Sequence, residues 1–155
     1  MTADAQPLDI GILMAAAYQQ FVVELRAALA AQGFDDTGRS DGYVFRALAA
    51  GPMTVSALAQ RLDITKQGAG QLVEDMERRG YLHRQPDPQD RRARLVALSP
   101  HGEQALRAAR RFHRRYERNL VRRHGAEAVA TLRALLGAVA GDAALDDPRL
   151  RAFYI

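Results

Sequence analysis

Apolar positions recur at helical steps along most of this chain and switch to strict alternation once. In residues 8–31, Ile10, Leu13, Met14, Ala17, Phe21 and Leu25 fall three or four apart, which predicts an amphipathic helix of about 22 residues. The Gly and Asp content of residues 32–39 predicts a loop. Ser40 is placed to cap a second helix over 41–50 with Val44, Phe45 and Leu48 inward, and Gly51-Pro52 ends it. Thr54 then caps a short helix over 55–62, Asp63-Ile64 turns the chain, and Thr65 caps a helix over 66–79. In that last helix Ala69, Leu72, Val73 and Met76 fall at i, i+3, i+4 and i+7, and Gly80 suits a left-handed C-terminal stop.

The period becomes two in residues 81–84 and 94–98, predicting two strands around a charged, proline-broken tip at 85–93. Ser99-Pro100 reads as a cap with proline at the first helical position, opening a long helix to about Arg123. Its stripe is Leu106, Ala109, His113, Tyr116 and Leu120; Gly125 breaks it, and residues 126–140 form a last helix with Val129, Leu132, Leu136 and Val139 aligned. Two helices joined by a tight turn are a helix-turn-helix, and the following hairpin makes it winged. The expected fold is therefore mainly α with a small β-hairpin wing, a winged helix-turn-helix plus a helical dimerisation region. A single domain is expected over 1–155, with the winged part at about 40–98 and dimerisation helices at about 8–31 and 99–155. The spare apolar stripes of the first and last two helices call for a second copy of the chain.

Charge changes this picture by its location. The chain has 22 basic and 18 acidic residues, net +4. Residues 1–40 carry −3, 41–98 carry +2, 99–125 carry +6 and 126–155 carry −1. All basic residues but Lys66 are Arg, so the arginine bias by itself argues nothing; its concentration in one helix does. Cys is absent, which excludes disulfides, thiolate nucleophiles and cysteinyl metal sites. No run approaches 18 consecutive apolar residues and residues 1–9 lack a signal-peptide pattern, so no membrane span and a cytoplasmic protein are expected.

Residues 51–102 carry a set of motifs that belong together: Leu58-Ala59, Thr65-Lys66-Gln67, Arg79-Gly80-Tyr81-Leu82, Asp87-Pro88-Gln89-Asp90-Arg91-Arg92, and Val96-Ala97-Leu98-Ser99-Pro100-His101-Gly102. This stretch resembles the MarR family of transcriptional regulators, closely over about a third of the chain and by helical frame over nearly all of it. The resemblance implies a homodimeric regulator that binds double-stranded DNA and often responds to a small-molecule effector. No cofactor and no membrane partner are expected. A repressor released by a small aromatic or anionic ligand is the expected function; a ligand-independent architectural or anti-silencing DNA binder is the alternative. Histidine spacing offers no metal site, and no nucleophile elbow or phosphate loop is present, so no enzyme is expected.

On the recognition helix, Thr65, Lys66, Gln67, Gly70 and Gln71 are the expected DNA-facing positions, while Glu74, Asp75 and Glu77 would repel DNA. Gly68 and Gly70 stand where such helices more often carry Ala and Ser or Thr, a cost of roughly 1 kcal/mol each. In the hairpin, the resemblance implies that Arg92 enters a minor groove and Asp90 orients it; Arg84, Arg91 and Arg94 join them as expected contacts. The basic helix (Arg107, Arg110, Arg111, Arg114, Arg115, Arg118, Arg122, Arg123) reads as a solvated face, with DNA contact as the rival reading for its first three. The resemblance places effectors between the dimerisation helices and the winged part, where Tyr18, Tyr43, Phe45 and Arg46 are the candidates. The rival reading puts Phe45 in the core, the tyrosines at an interface and Arg46 beside an acid. Leu150, Phe153 and Tyr154 in the tail are expected to join the dimer interface.

Overall fold

A computed structural model describes residues 8–90 and 92–145, with side chains to Asp142. Eight elements follow the predicted order: α1 Ile10–Ala30, α2 Asp41–Leu48, α3 Val55–Leu62, α4 Lys66–Arg78, β1 Leu82–Pro86, β2 Arg94–Leu98, α5 Pro100–His124 and α6 Ala126–Leu145. Local capping chemistry sets most of the starts. Thr54, Thr65 and Ser99 each accept a hydrogen bond from the backbone N–H three residues on, at 3.1, 3.0 and 3.0 Å. Asp63 takes the left-handed conformation (φ 53°) that ends α3 and aims the chain into α4.

Ser40 behaves differently from expectation. It has helical φ/ψ and makes no side-chain cap bond. Asp41 instead braces the turn before the helix, its carboxylate accepting the Gly38 N–H at 2.7 Å. The second strand spans the expected 94–98, whereas the first starts at Leu82 and runs further out than alternation suggested. β1 continues through Gln85 and Pro86, which pair with Leu95 and Arg94. Proline closes the strand at its outer end, where a missing donor costs little. Met53 adds a short third rung, exchanging backbone hydrogen bonds with Val96 at 3.1 and 2.8 Å.

The core gathers where α2, α3, α4, the hairpin and the start of α5 meet, around Val44, Leu58, Val73, Met76, Tyr81 and Val96, all essentially inaccessible. Gly102 permits the closest contact: a Cβ there would lie 2.1 Å from the Tyr81 carbonyl oxygen. That carbonyl accepts the Ser99 N–H at 2.9 Å, so α5 is seated directly on the start of β1.

The outer helices are less covered. Phe21, Leu25 and Leu29 pack α1 toward α5 and the core, Phe21 lying 5.5, 5.4 and 5.0 Å from the rings of Phe112, His113 and Tyr116. Ile10, Ile12, Leu13 and Val23 on α1 remain exposed, as do Leu132, Leu135, Leu136 and Val139 on α6. By length and composition α1 is also apolar enough to cross a bilayer, which the absence of an unbroken apolar run had argued against. Gln19, Gln20, Glu24 and Arg26 interrupt it, and one face is already committed to α5. α6 runs past the predicted end at Ala140, with a break at Gly141 (φ 72°, ψ 158°).

Candidate nucleic-acid interface

The recognition helix α4 turns Ala69, Val73 and Met76 into the core. Its first two turns therefore present Lys66, Gln67 and Gln71 outward, all exposed, with Thr65 exposed at the cap and Gly70 half-buried. The two glycines separate on inspection. A Cβ at Gly68 would meet the Thr65 hydroxyl at 3.2 Å, so this position suits the tight cap. A Cβ at Gly70 meets nothing within 4 Å, so the fold itself asks for no glycine there.

Two of the three acids on the later part of α4, Asp75 and Glu77, are held by arginines of the same chain, and Glu74 is exposed. Asp75 is hydrogen-bonded by Arg78 and Arg79, and the Arg79 guanidinium holds its carboxyl below the usual range. Glu77 accepts from Arg84 Nε at 3.0 Å. Arg84, expected as a DNA contact, thus has a first partner across the α4–β1 junction.

Arg79 was read only as part of a motif, yet it organises this end of the fold. Its guanidinium donates to both Asp41 oxygens (2.6 and 3.1 Å), to Asp75 and to the Asp36 carbonyl (2.8 Å). The side chains of Arg79 and Asp41 are only 17% and 3% exposed. Hydrogen bonding to Asp41 is the main reason its pKa is raised further. Beside it, the Tyr81 hydroxyl donates to the Asp36 carboxylate, and burial pushes the phenol pKa up. This cluster ties the loop before α2 to the end of α4 and the start of β1.

At the hairpin tip the carboxylates shape backbone. Asp87 Oδ1 accepts the Gln89 N–H at 2.8 Å and Asp90 Oδ1 accepts the Arg92 N–H at 2.9 Å. The Ala93 N–H closes on the Asp90 carbonyl at 2.9 Å. Asp90 therefore fixes the turn that carries Arg92. Arg92 and Arg94 are exposed; Arg91 lies outside the described residues, as do Leu150, Phe153 and Tyr154.

The four effector candidates do not form one set. Phe45 is a core ring, edge-on to Tyr81 at 5.4 Å, which removes it from the ligand-facing residues. Tyr18 is exposed on α1 and Tyr43 is half-buried on α2. Arg46 Nη2 lies 3.1 Å from His113 Nε2. Burial, then repulsion from Arg110, lowers the Arg46 pKa, while burial and then Arg46 lower that of His113. His113 is thus a hydrogen-bonded histidine at the α2–α5 contact. Among the described residues no group of three His, Asp or Glu is placed to hold a metal.

Residues 35–93 match the sequence model of the MarR family. No curated protein matches the chain in sequence. Among solved structures, FabT of Streptococcus pneumoniae in complex with DNA is similar, with TM-score 0.70 and 22% identity over 82% of this chain and 90% of that one. An S. aureus MepR–DNA complex matches at TM-score 0.68 and 20% identity, covering 82% and 92% of the two chains. Apo MarR from E. coli matches at TM-score 0.60 and 21% identity, covering 88% and 100%. The shared fold is the winged helix.

Proposed function

We propose that this chain, whose residues 35–93 match the MarR family model, is a member of that family and a homodimeric, DNA-binding transcriptional regulator that represses from a pseudo-palindromic operator. One observation carries the reading. The recognition helix exposes hydrogen-bonding side chains in its first turn, while Asp75 and Glu77 further along are engaged by Arg79 and Arg84. A major groove meets Lys66, Gln67 and Gln71 first, and two of the three acids that would repel phosphate, Asp75 and Glu77, are already partnered, while Glu74 stays exposed. The similar FabT and MepR structures hold DNA, which supports the same partner here.

In this reading the hairpin delivers Arg92 to the minor groove on a turn that Asp90 fixes, with Arg94 toward phosphate. Arg84 serves by neutralising Glu77. Two copies join through the exposed apolar faces of α1 and α6, over more than about 2,000 Å². A small anionic effector would enter beside Tyr43 and Arg46 and must compete with His113 for the guanidinium. Such an effector lowers DNA affinity by the ratio of its affinities for the two states, and DNA weakens the effector equally.

The test is a footprinting titration with the promoter DNA beside its own gene. Arg92→Ala should weaken binding by roughly 1–3 kcal/mol with the fold intact, and unchanged affinity removes the hairpin from the interface. Repeating the titration with salicylate, for wild type and Arg46→Ala, separates the two kinds of regulator. DNA affinity that no such acid shifts would favour the ligand-independent architectural alternative.

A further inference from the structure

A basic cleft of about 480 Å³ lies between the last turn of α1 and the middle of α5. Arg111, Arg114, Arg115 and Arg118 line it, with Phe112 and Gln32. The four arginines fall at i, i+3, i+4 and i+7, so they share one helix face. Arg115 Cζ sits 5.9 Å from the Phe112 ring centre, and Arg111 Nη2 donates to Gln32 Oε1 at 2.6 Å, closing one end. The other ion pairs of this helix, Arg107 with Glu103 and Arg133 with Glu117, engage neither these four arginines nor the cleft. Among the described residues, no carboxylate pairs with any of the four.

Four like charges over two turns repel one another, and this repulsion is relieved by a counter-charge of matching multiplicity. A single carboxylate would leave most of it in place. The planar guanidinium fork suits phosphate and carboxylate oxygens two at a time. Phe112 is buried, so the cleft offers charge rather than an aromatic face for stacking. The volume falls in the range of small-ligand pockets. We propose that this cleft binds a compact polyanion bearing several phosphate or carboxylate groups. The site uses no residue of α4 or the hairpin, and of the basic-helix arginines with a rival DNA reading it includes only Arg111.

The experiment is calorimetric titration of the full chain, without DNA, using inorganic pyrophosphate and citrate at constant ionic strength. One anion per chain is expected, with affinity falling about tenfold in Arg114→Ala and in Arg118→Ala. Arg122→Ala, on the same helix outside the cleft, should leave affinity unchanged. Whichever probe binds more tightly identifies the anion as phosphate-like or carboxylate-like. In the absence of ligand the two cleft variants should melt at or above wild type, since each removes a repelling charge. The anion should raise the wild-type melting temperature and not theirs. Matched sodium chloride producing the same rise would overturn the proposal, as would equal loss in Arg122→Ala. Cleft variants that melt lower without ligand would show the arginines holding another part of the chain instead. Variants that lose DNA affinity while binding no anion at any stage would assign the face to DNA.

Discussion

At the end of α4 a single guanidinium makes five hydrogen bonds, to Asp41, Asp75 and the Asp36 carbonyl, which uses every N–H that arginine has. Asp41 in turn accepts three, two from Arg79 and one from the Gly38 N–H. Truncating Asp41 leaves a largely buried cation short of its main partner. Arg79 keeps Asp75 and the Asp36 carbonyl, so Asp41→Ala is expected to cost about 3 kcal/mol, the low end for a broken buried pair; urea denaturation would measure it. None of this was legible beforehand. Asp41 stands 38 residues from Arg79, and pattern reasoning sees only neighbours three or four apart. His113 was legible as a histidine on an apolar stripe, though its partner Arg46 was not. Its folded pKa lies below the unfolded value of about 6.5. Folding therefore releases protons, and stability should fall as pH drops below about 6.5 toward the lower folded pKa. His113→Gln should flatten that stretch of the stability–pH curve; an unchanged slope would move the effect to other groups.

Among the elements, the helices capped by Thr54, Thr65 and Ser99 could be read directly, because each cap bonds three residues ahead. The second helix starts after Ser40 as its sequence suggests, but the Ser40 side chain makes no cap bond, and the neighbouring Asp41 serves a distant arginine and the local turn together. The hairpin was recognised by alternation, but its outer rungs at Gln85 and Pro86 were hidden by residues that disfavour strands and are tolerated at an edge. Gly102 looked like one letter of a motif. Its cause is the Tyr81 carbonyl, which leaves no room for a Cβ. Gly102→Ala should gain helix propensity and still destabilise by about 1–3 kcal/mol, because backbone must shift to admit the methyl. Thermal unfolding followed by circular dichroism would register the loss. A variant as stable as wild type would mean that α5 can lift off β1 without penalty.

For the molecule as a whole, the surplus of apolar stripes was readable in the sequence and is found on α1 and α6. What covers them was inferred from bookkeeping alone, and the proposed role of the tail falls outside the described residues. The dimer makes a sharp expectation. A polar substitution at an exposed site usually stays within about 0.5 kcal/mol, whereas in an interface it breaks assembly. Leu136→Glu should therefore shift sedimentation toward monomer and abolish the rise of melting temperature with protein concentration. A variant that sediments and melts like wild type would leave the α6 face without a partner.

The apolar character of α1 also has a consequence for how the protein is made. Its packing partner α5 begins only at Pro100, roughly seventy residues after α1 ends. At translation rates of about 5–20 residues per second, that is several seconds in which an apolar 21-residue helix lacks its main packing partner. During this interval its apolar face is open to any factor that binds exposed hydrophobic chain. Slow codons placed between α1 and α5 should lengthen that exposure and lower the soluble yield, even though the amino-acid sequence is unchanged.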